Sequence, residues 1–385
     1  MKPDSTLASG LRRVTSDGKF VPEIDGLRFV AISSVVIYHL HWALENRLHL
    51  LAPPGWATQF LEHGARGVQI FFTISGFILG LPFAAHYLSG RDKVSLRHYF
   101  LRRITRLEPP YILCLVILFF VEALGHRYSL ELLKALAASL VYLHNLIFGE
   151  GSRVNGVAWS LEVEIQFYLL VPLLTLLFSI RRHAVRRTIL SSLIIGICVL
   201  QFFSPQNPRL VLSIAGQIQF FLAGFLLADI YLVDWREKPK GSWHWDIVSL
   251  AVWPALFYWS DPRFQILMPF LNIFAFCAAF KGVLSRKIFS HSSLTTIGGM
   301  CYTIYLYHWS VLPRALALTR HLGTHANYYV VLVYQFFLTV PFLAVVSIFF
   351  FLIVERPCMQ RDWPQRAWRV LFERKMVKAT SESPS

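Results

Sequence analysis

Charge is what this sequence has least of. Only 15% of its 385 residues are Asp, Glu, Lys or Arg, where a soluble domain carries about 25%. The shortfall is concentrated in long runs: residues 110–121, 217–228 and 335–354 contain no charged side chain at all. A helix needs about 20 apolar residues to cross the hydrocarbon core of a bilayer. One such run could be a buried core helix, but many of them exclude a soluble protein. Cysteine is also scarce. Cys114, Cys198, Cys277, Cys301 and Cys358 are odd in number and scattered through apolar stretches, which points to neither a disulfide framework nor a metal site. A secretory signal pattern is missing too: residues 1–23 are polar, and the first apolar run starts at Leu27 with no small-residue cleavage site after it. That run is expected to stay as a first span. No internal repeat, low-complexity linker or soluble C-terminal domain is expected.

What is present is an excess of base, 37 Lys and Arg against 22 Asp and Glu, for a net charge of +15. Its distribution argues against a nucleic-acid partner. The basic residues gather in short loops, at 12–19, 91–106, 181–187, 236–240, 281–287 and after Arg356, as the positive-inside rule requires of cytoplasmic loops. With these loops on one side, the spans fall near 27–42, 67–86, 107–124, 161–179, 188–203, 213–233, 245–259, 264–280, 297–316 and 328–354. The expected fold is therefore all-α: a polytopic transmembrane helix bundle of about ten spans in the lipid bilayer, with both termini cytoplasmic. Residues 130–148 are left over as an interfacial or re-entrant helix. A polar segment 1–22, a membrane domain 23–357 and a basic tail 358–385, unstructured at 378–385, complete the division.

An ionisable side chain inside a membrane is costly and needs a reason. In the first span, Arg28 and His39 are eleven positions apart, three turns plus about 20°, so both project from one face about 16 Å apart. An imidazole titrates near neutrality and can deprotonate a hydroxyl; it can equally bond a neighbouring helix. Arg28 in isolation reads as a topology anchor. Arg103 and Arg106, three apart, lie side by side; they anchor a cytoplasmic loop or bind phosphates bidentately, as a coenzyme A donor would require. Glu162 and Glu164 open an apolar span with Ser160 as a possible N-cap. They point about 200° from each other, so at most one faces a cavity and the other faces solvent or headgroups. His308 sits among Tyr302, Tyr305, Tyr307 and Trp309, in a packing network or a chemical role. Glu355-Arg356-Pro357 is expected to lock the end of the last span.

These segments resemble the integral-membrane acyltransferase family three, bacterial proteins that O-acylate surface and secreted glycans. DGLRFVAISSVVIYH is similar to that family's first-helix signature, with Arg28 and His39 in its basic and histidine positions. GVQIFFTISGFILG, with Ser75-Gly76-Phe77, is similar to the second-span motif. RRITRLEPPY carries Arg-x-x-Arg at Arg103 and Arg106. WSLEVEIQFYLLVP aligns the family glutamate with Glu164 and leaves Glu162 at a variable position. QFFLAGFLLA, GGMCYTIYLYHW and VERP follow in the family's order, so the likeness runs from about residue 23 to 357. Gln69 stands where an acidic residue is frequent and Cys301 where serine is usual.

The resemblance implies an O-acetyltransferase or related acyltransferase of the bacterial inner membrane, without a metal. Its donor would be acetyl-CoA or another acyl-CoA, held by Arg28, Arg103 and Arg106. His39 would be the general base, Glu164 would serve the acceptor pocket, and Trp159, Ser160, Tyr305 and His308 would line the substrate. The carbohydrate acceptor would belong to a polysaccharide or lipopolysaccharide. Direct attack and an acyl-histidine both remain open. A small secreted metabolite or a lipid-linked intermediate is an alternative acceptor. A secondary transporter is the rival class, although it usually shows repeats that are missing here, and a structural scaffold would leave the Arg28–His39 alignment unaccounted for.

Overall fold

The computed structural model describes residues 11, 13, 20–127, 129–204, 207–321, 327–360 and 362–366. Most of the expected N-terminal segment, Pro205, and the tail beyond residue 366, including the stretch expected to be unstructured, lie outside the described residues. Among the described residues there is no strand. The long helices are α1 (Pro22–Leu48), α2 (Gly67–Ser89), α3 (Leu96–Glu122), α4 (Trp159–Leu174), α5 (His183–Phe203), α6 (Ile214–Val233), α7 (Trp243–Tyr258), α8 (Met268–Lys281), α9 (Cys301–Thr319) and α10 (Tyr328–Phe350). Each expected span falls on one of them. Shorter helices, Leu130–Leu140 and His144–Phe148 among them, fill the connections.

Seven helical segments are long and apolar enough to cross a membrane, or eight if the pair Met268–Lys281 and Val283–Phe289, bent by 91°, counts as one broken span. The sequence reading gave about ten. The difference lies in α7 and α9. With 16 residues, α7 reaches only about 24 Å, short of the roughly 30 Å hydrocarbon core. The other, α9, carries buried Thr303, His308, Ser310 and Thr319, and a helix turned into protein need not be as apolar as one turned into lipid. Outward faces show the opposite composition: Phe337, Val345 and Phe349 of α10 are 71%, 68% and 67% exposed, as lipid contact allows and water contact penalises.

Local chemistry sets the ends of α1. Pro22 occupies its first turn with Glu23 and Asp25, where a fixed φ and negative charge favour initiation. His49 closes it in the left-handed region at φ 55°. Packing sets the rest. A Cβ on Gly76 of α2 would overlap the Phe221 carbonyl, and one on Gly224 of α6 would overlap the Thr73 carbonyl and the Phe77 amide, so the two backbones touch directly. Against the same pair, α5 is held by an ion pair: Arg186, 1% exposed, meets Asp229, 0% exposed, and Arg187 reaches the other Asp229 oxygen at 2.6 Å.

Removing one partner of a buried pair strands the other charge. We expect Asp229→Ala to destabilise the bundle by about 3–5 kcal/mol, read as a lowered thermal midpoint in detergent. The double variant Arg186→Leu/Asp229→Leu should recover much of that loss; a double variant as unstable as the single one would contradict this account of the pair.

Candidate active site

Five helices and the segment after α10 enclose a cavity of about 910 Å³, its open mouth included. Arg28 comes from α1, Ser75 from α2, Arg103 and Arg106 from α3, Ser160, Glu164 and Tyr168 from α4, and Glu355 from the segment Phe351–Glu355. Cys301, Tyr302 and Tyr305 of α9 close the remaining wall, and Phe71, Phe72, Ile74 and Ile78 give it an apolar side. Arg13, ahead of the first helix, lines it as well.

Each carboxylate around this cavity already accepts from a protein donor through one oxygen, while Asp25 Oδ2 is buried without a partner among the described residues. Asp25 Oδ1 accepts from Arg28 Nη1 at 2.5 Å and from Arg13 Nη1 at 3.3 Å. Glu164 Oε1 accepts from the Ser75 hydroxyl at 2.7 Å. Glu355 accepts from the Thr303 amide at 3.2 Å and from the Thr303 hydroxyl, which ties the start of α9 to the end of the chain's last long helical run. Arg103 instead lies over the rings of Tyr99 and Tyr168, at 5.9 and 5.7 Å, and its buried Nε has no hydrogen-bond partner. The guanidinia outnumber the carboxylates. Burial first, then repulsion from Arg28 and Arg106, push Arg13 well below the usual arginine range, against the pull of Asp25. Such a pocket is built to take an anion.

His39 lies three turns along α1 from Arg28 and outside the cavity lining. Its ring meets those of His308 and Trp309 at centroid distances of 4.8 and 5.2 Å. The hydrogen bonds assign the tautomers. His308 Nδ1 is 2.7 Å from the Tyr305 carbonyl, which can only accept, so Nδ1 carries the proton. In a neutral ring His308 Nε2 is then an acceptor, and it lies 3.1 Å from His39 Nδ1. That nitrogen is also 2.9 Å from the Val35 carbonyl, so His39 Nδ1 donates to both. The His39 Nε2 lone pair is left unclaimed on a partly exposed ring, which is the state a general base needs.

The loop between His144–Phe148 and α4 fixes this arrangement. Asn155 Nδ2 donates to the Leu306 carbonyl at 3.0 Å, and Tyr305 hydrogen-bonds the Val157 carbonyl and, at 2.7 Å, the Ser160 hydroxyl. A Cβ on Gly156 would strike Trp309 at 2.8 Å. Tyr305 therefore borders both the cavity and the His308 ring, 5.7 Å between centroids.

Of the residues singled out from sequence, Arg28, Arg103, Arg106, Ser160, Glu164 and Tyr305 line the cavity together. His39 and His308 pair beside it, and Trp159 packs on Phe72, with ring centroids 6.2 Å apart. Ser160 makes no capping bond; α4 begins at Trp159 with Ala158 before it. Glu162 is a correction. It is fully buried, facing neither solvent nor headgroups, and Oε2 accepts from the Asn145 amide at 3.0 Å, capping the short helix His144–Phe148. Gln69 is not among the lining residues; its carbonyl accepts from Asn272, so the departure at that position falls outside this cavity. Sequence reasoning missed Asp25 and Arg13. The i, i+3 spacing of Asp25 and Arg28 was a usable signal, whereas nothing local marked Arg13.

A family model described as an acyltransferase domain matches residues 21–356. The proteins named O-acetyltransferase OatA in Staphylococcus aureus strains NCTC 8325 / PS 47 and COL are each 26% identical over 325 residues, covering 76% of this chain and 51% of the relative. The chain thus spans about half the length of these relatives. No solved structure matches it.

Cys301 is the one cysteine that is partly exposed; the other four are buried. N-ethylmaleimide should therefore modify Cys301 first, as read by peptide mass mapping. Earlier modification of any other cysteine would place the cavity wall elsewhere.

Proposed function

From the premise that the chain belongs to this acyltransferase family, we propose that it is a membrane O-acyltransferase. It moves an acyl group, acetyl in the first instance, from acyl-CoA on the cytoplasmic side to a hydroxyl of a cell-surface or secreted glycan. The observation that carries the reading is the layout of α1, with a guanidinium cavity at Arg28 and an imidazole with a free lone pair at His39, about 16 Å along one helix face. The basic loops support the cavity's end being cytoplasmic, and a bacterial inner membrane is the home that fits a protein working between a CoA pool and an external glycan. The names of the OatA relatives support acetyl as the group transferred.

In this reading Arg28, Arg103 and Arg106 hold the donor's phosphates by charge-assisted hydrogen bonds, and the apolar wall takes the rest of the donor. His39 Nε2 removes the proton from the acceptor hydroxyl as the oxygen attacks the thioester carbonyl. The carbon–sulfur bond breaks, and the thiolate leaves as the CoA thiol once it takes up a proton. His308 and the Val35 carbonyl together keep the His39 lone pair on Nε2. Glu164, held by Ser75, orients the acceptor pocket with Ser160 and Tyr305. Trp159 supports that pocket from its place on Phe72.

The test is a mass comparison of surface glycans from cells expressing the intact chain and its His39→Ala variant. A base-labile increment of one acyl group, present only with the intact chain, is expected; no difference with both proteins inserted would sink the glycan reading. In proteoliposomes His39→Ala should lose about 10²–10⁴-fold in transfer. His308→Gln, which can still offer an acceptor oxygen to His39 Nδ1, should retain more activity than His308→Ala. Equal losses in the two would argue against tautomer control.

A further inference from the structure

We propose that Arg13 is a donor-binding residue, the fourth guanidinium of the cavity, contributed by the segment ahead of the first helix and directed at a phosphate of the acyl-CoA nucleotide end. This rests on the donor reading above and adds a residue that no helix motif contains.

The position of Arg13 is built rather than incidental. Leu11 packs in a small cluster with Met300, Phe351 and Met359, which places it at the start of α9. There the backbone runs against Gly299, where an added Cβ would come within 3.3 Å of the Arg13 Cβ. The Arg13 side chain is only 15% exposed. Among the described residues its one ion-pair contact is a long one, 3.3 Å to Asp25 Oδ1, and the same oxygen is held closer by Arg28 at 2.5 Å. Its Nε–H is buried with no acceptor among the described residues, and the nearby charges opposing it are Arg28 and Arg106. A buried cation with a shared carboxylate, an idle donor and two like-charged neighbours is poorly compensated.

An anion arriving in the cavity would supply the missing acceptors. The guanidinia reach the cavity from different elements: Arg103 and Arg106 come from α3, while Arg13 pairs with Asp25 of α1 and packs on Gly299 ahead of α9. A ligand with several phosphates matches this spread, and the apolar side formed by Phe71, Phe72, Ile74 and Ile78 matches a ligand that continues into an uncharged arm. A coenzyme A thioester has both parts. An anionic lipid headgroup shares the phosphate chemistry, so the experiment separates the two.

The full chain in phosphatidylcholine nanodiscs is titrated calorimetrically with coenzyme A, and again in nanodiscs containing phosphatidylglycerol. Relative to the intact protein, Arg13→Ala should bind coenzyme A about tenfold or more weakly, the loss of one hydrogen bond to a charged group. Arg13→Lys, which keeps the charge without the idle Nε donor, should fall between, and Arg47→Ala at the far end of α1 should match the intact protein. In transfer assays Arg13→Ala should raise KM for acetyl-CoA by the same factor and leave kcat at saturating donor within about twofold, at an unchanged thermal midpoint. Equal coenzyme A affinity in the intact protein and Arg13→Ala would overturn this inference and leave the donor reading standing. Failure of the intact protein to bind coenzyme A in phosphatidylcholine would overturn both. Loss of binding only when phosphatidylglycerol is present would assign Arg13 to a lipid headgroup and overturn the proposal as stated.

Discussion

A guanidinium inside a bundle of apolar helices has to be surrounded by acceptors, and the way this chain meets that requirement organises the rest of it. Arg28 sits near the start of α1, one turn from Asp25, and Asp25 is itself walled in by Gly298, where an added Cβ would overlap the Asp25 carbonyl. The segment Ser292–Gly299 must therefore lie flush on α1, and α9, which follows it, is delivered with Cys301 at the cavity and His308 two turns further on. Glu355 then fixes the start of α9 from the other side through Thr303. The close backbone contact at the base of α1, beside the Asp25–Arg28 pair, thus sets the register in which His39 meets His308.

Two kinds of buried charge appear in the bundle, and they differ in what is left over. Arg186 is closed off by Asp229 and the Ile180 carbonyl, so that site is saturated and holds helices together. The cavity is not saturated. Arg103 rests on tyrosine rings, Arg13 shares an oxygen with Arg28, and the surrounding carboxylates already accept from protein donors. Buried groups without partners are rare in folded proteins and call for explanation; in the proposed function a polyanionic donor supplies it. The histidine pair follows the same logic at the level of one proton. Two carbonyls, Tyr305 and Val35, decide which nitrogens carry hydrogen, and a single lone pair remains.

Much of this was legible in the sequence because its signals are local. Uncharged runs located the long helices, and helical periodicity put Arg28 and His39 on one face and Arg103 beside Arg106. What remained hidden depends on residues distant in the chain. Glu162 was expected to face outward, because nothing nearby showed that a five-residue helix would present its Asn145 amide to it. Arg13 lies outside any periodic segment. The span count exceeded what length and composition support because α9 spends its polar residues on other helices, and hydropathy alone does not show which side of a helix meets lipid.

The central claim is that the donor's phosphates and its reacting sulfur lie at opposite ends of one stripe on α1. The most direct measurement is an electron cryo-microscopy structure of the full chain with coenzyme A bound. The account predicts phosphate density against Arg28, Arg103 and Arg106, with the thiol end directed along α1 towards His39. Coenzyme A bound away from the arginine cavity, or seated there with its thiol end turned out to solvent, would contradict it.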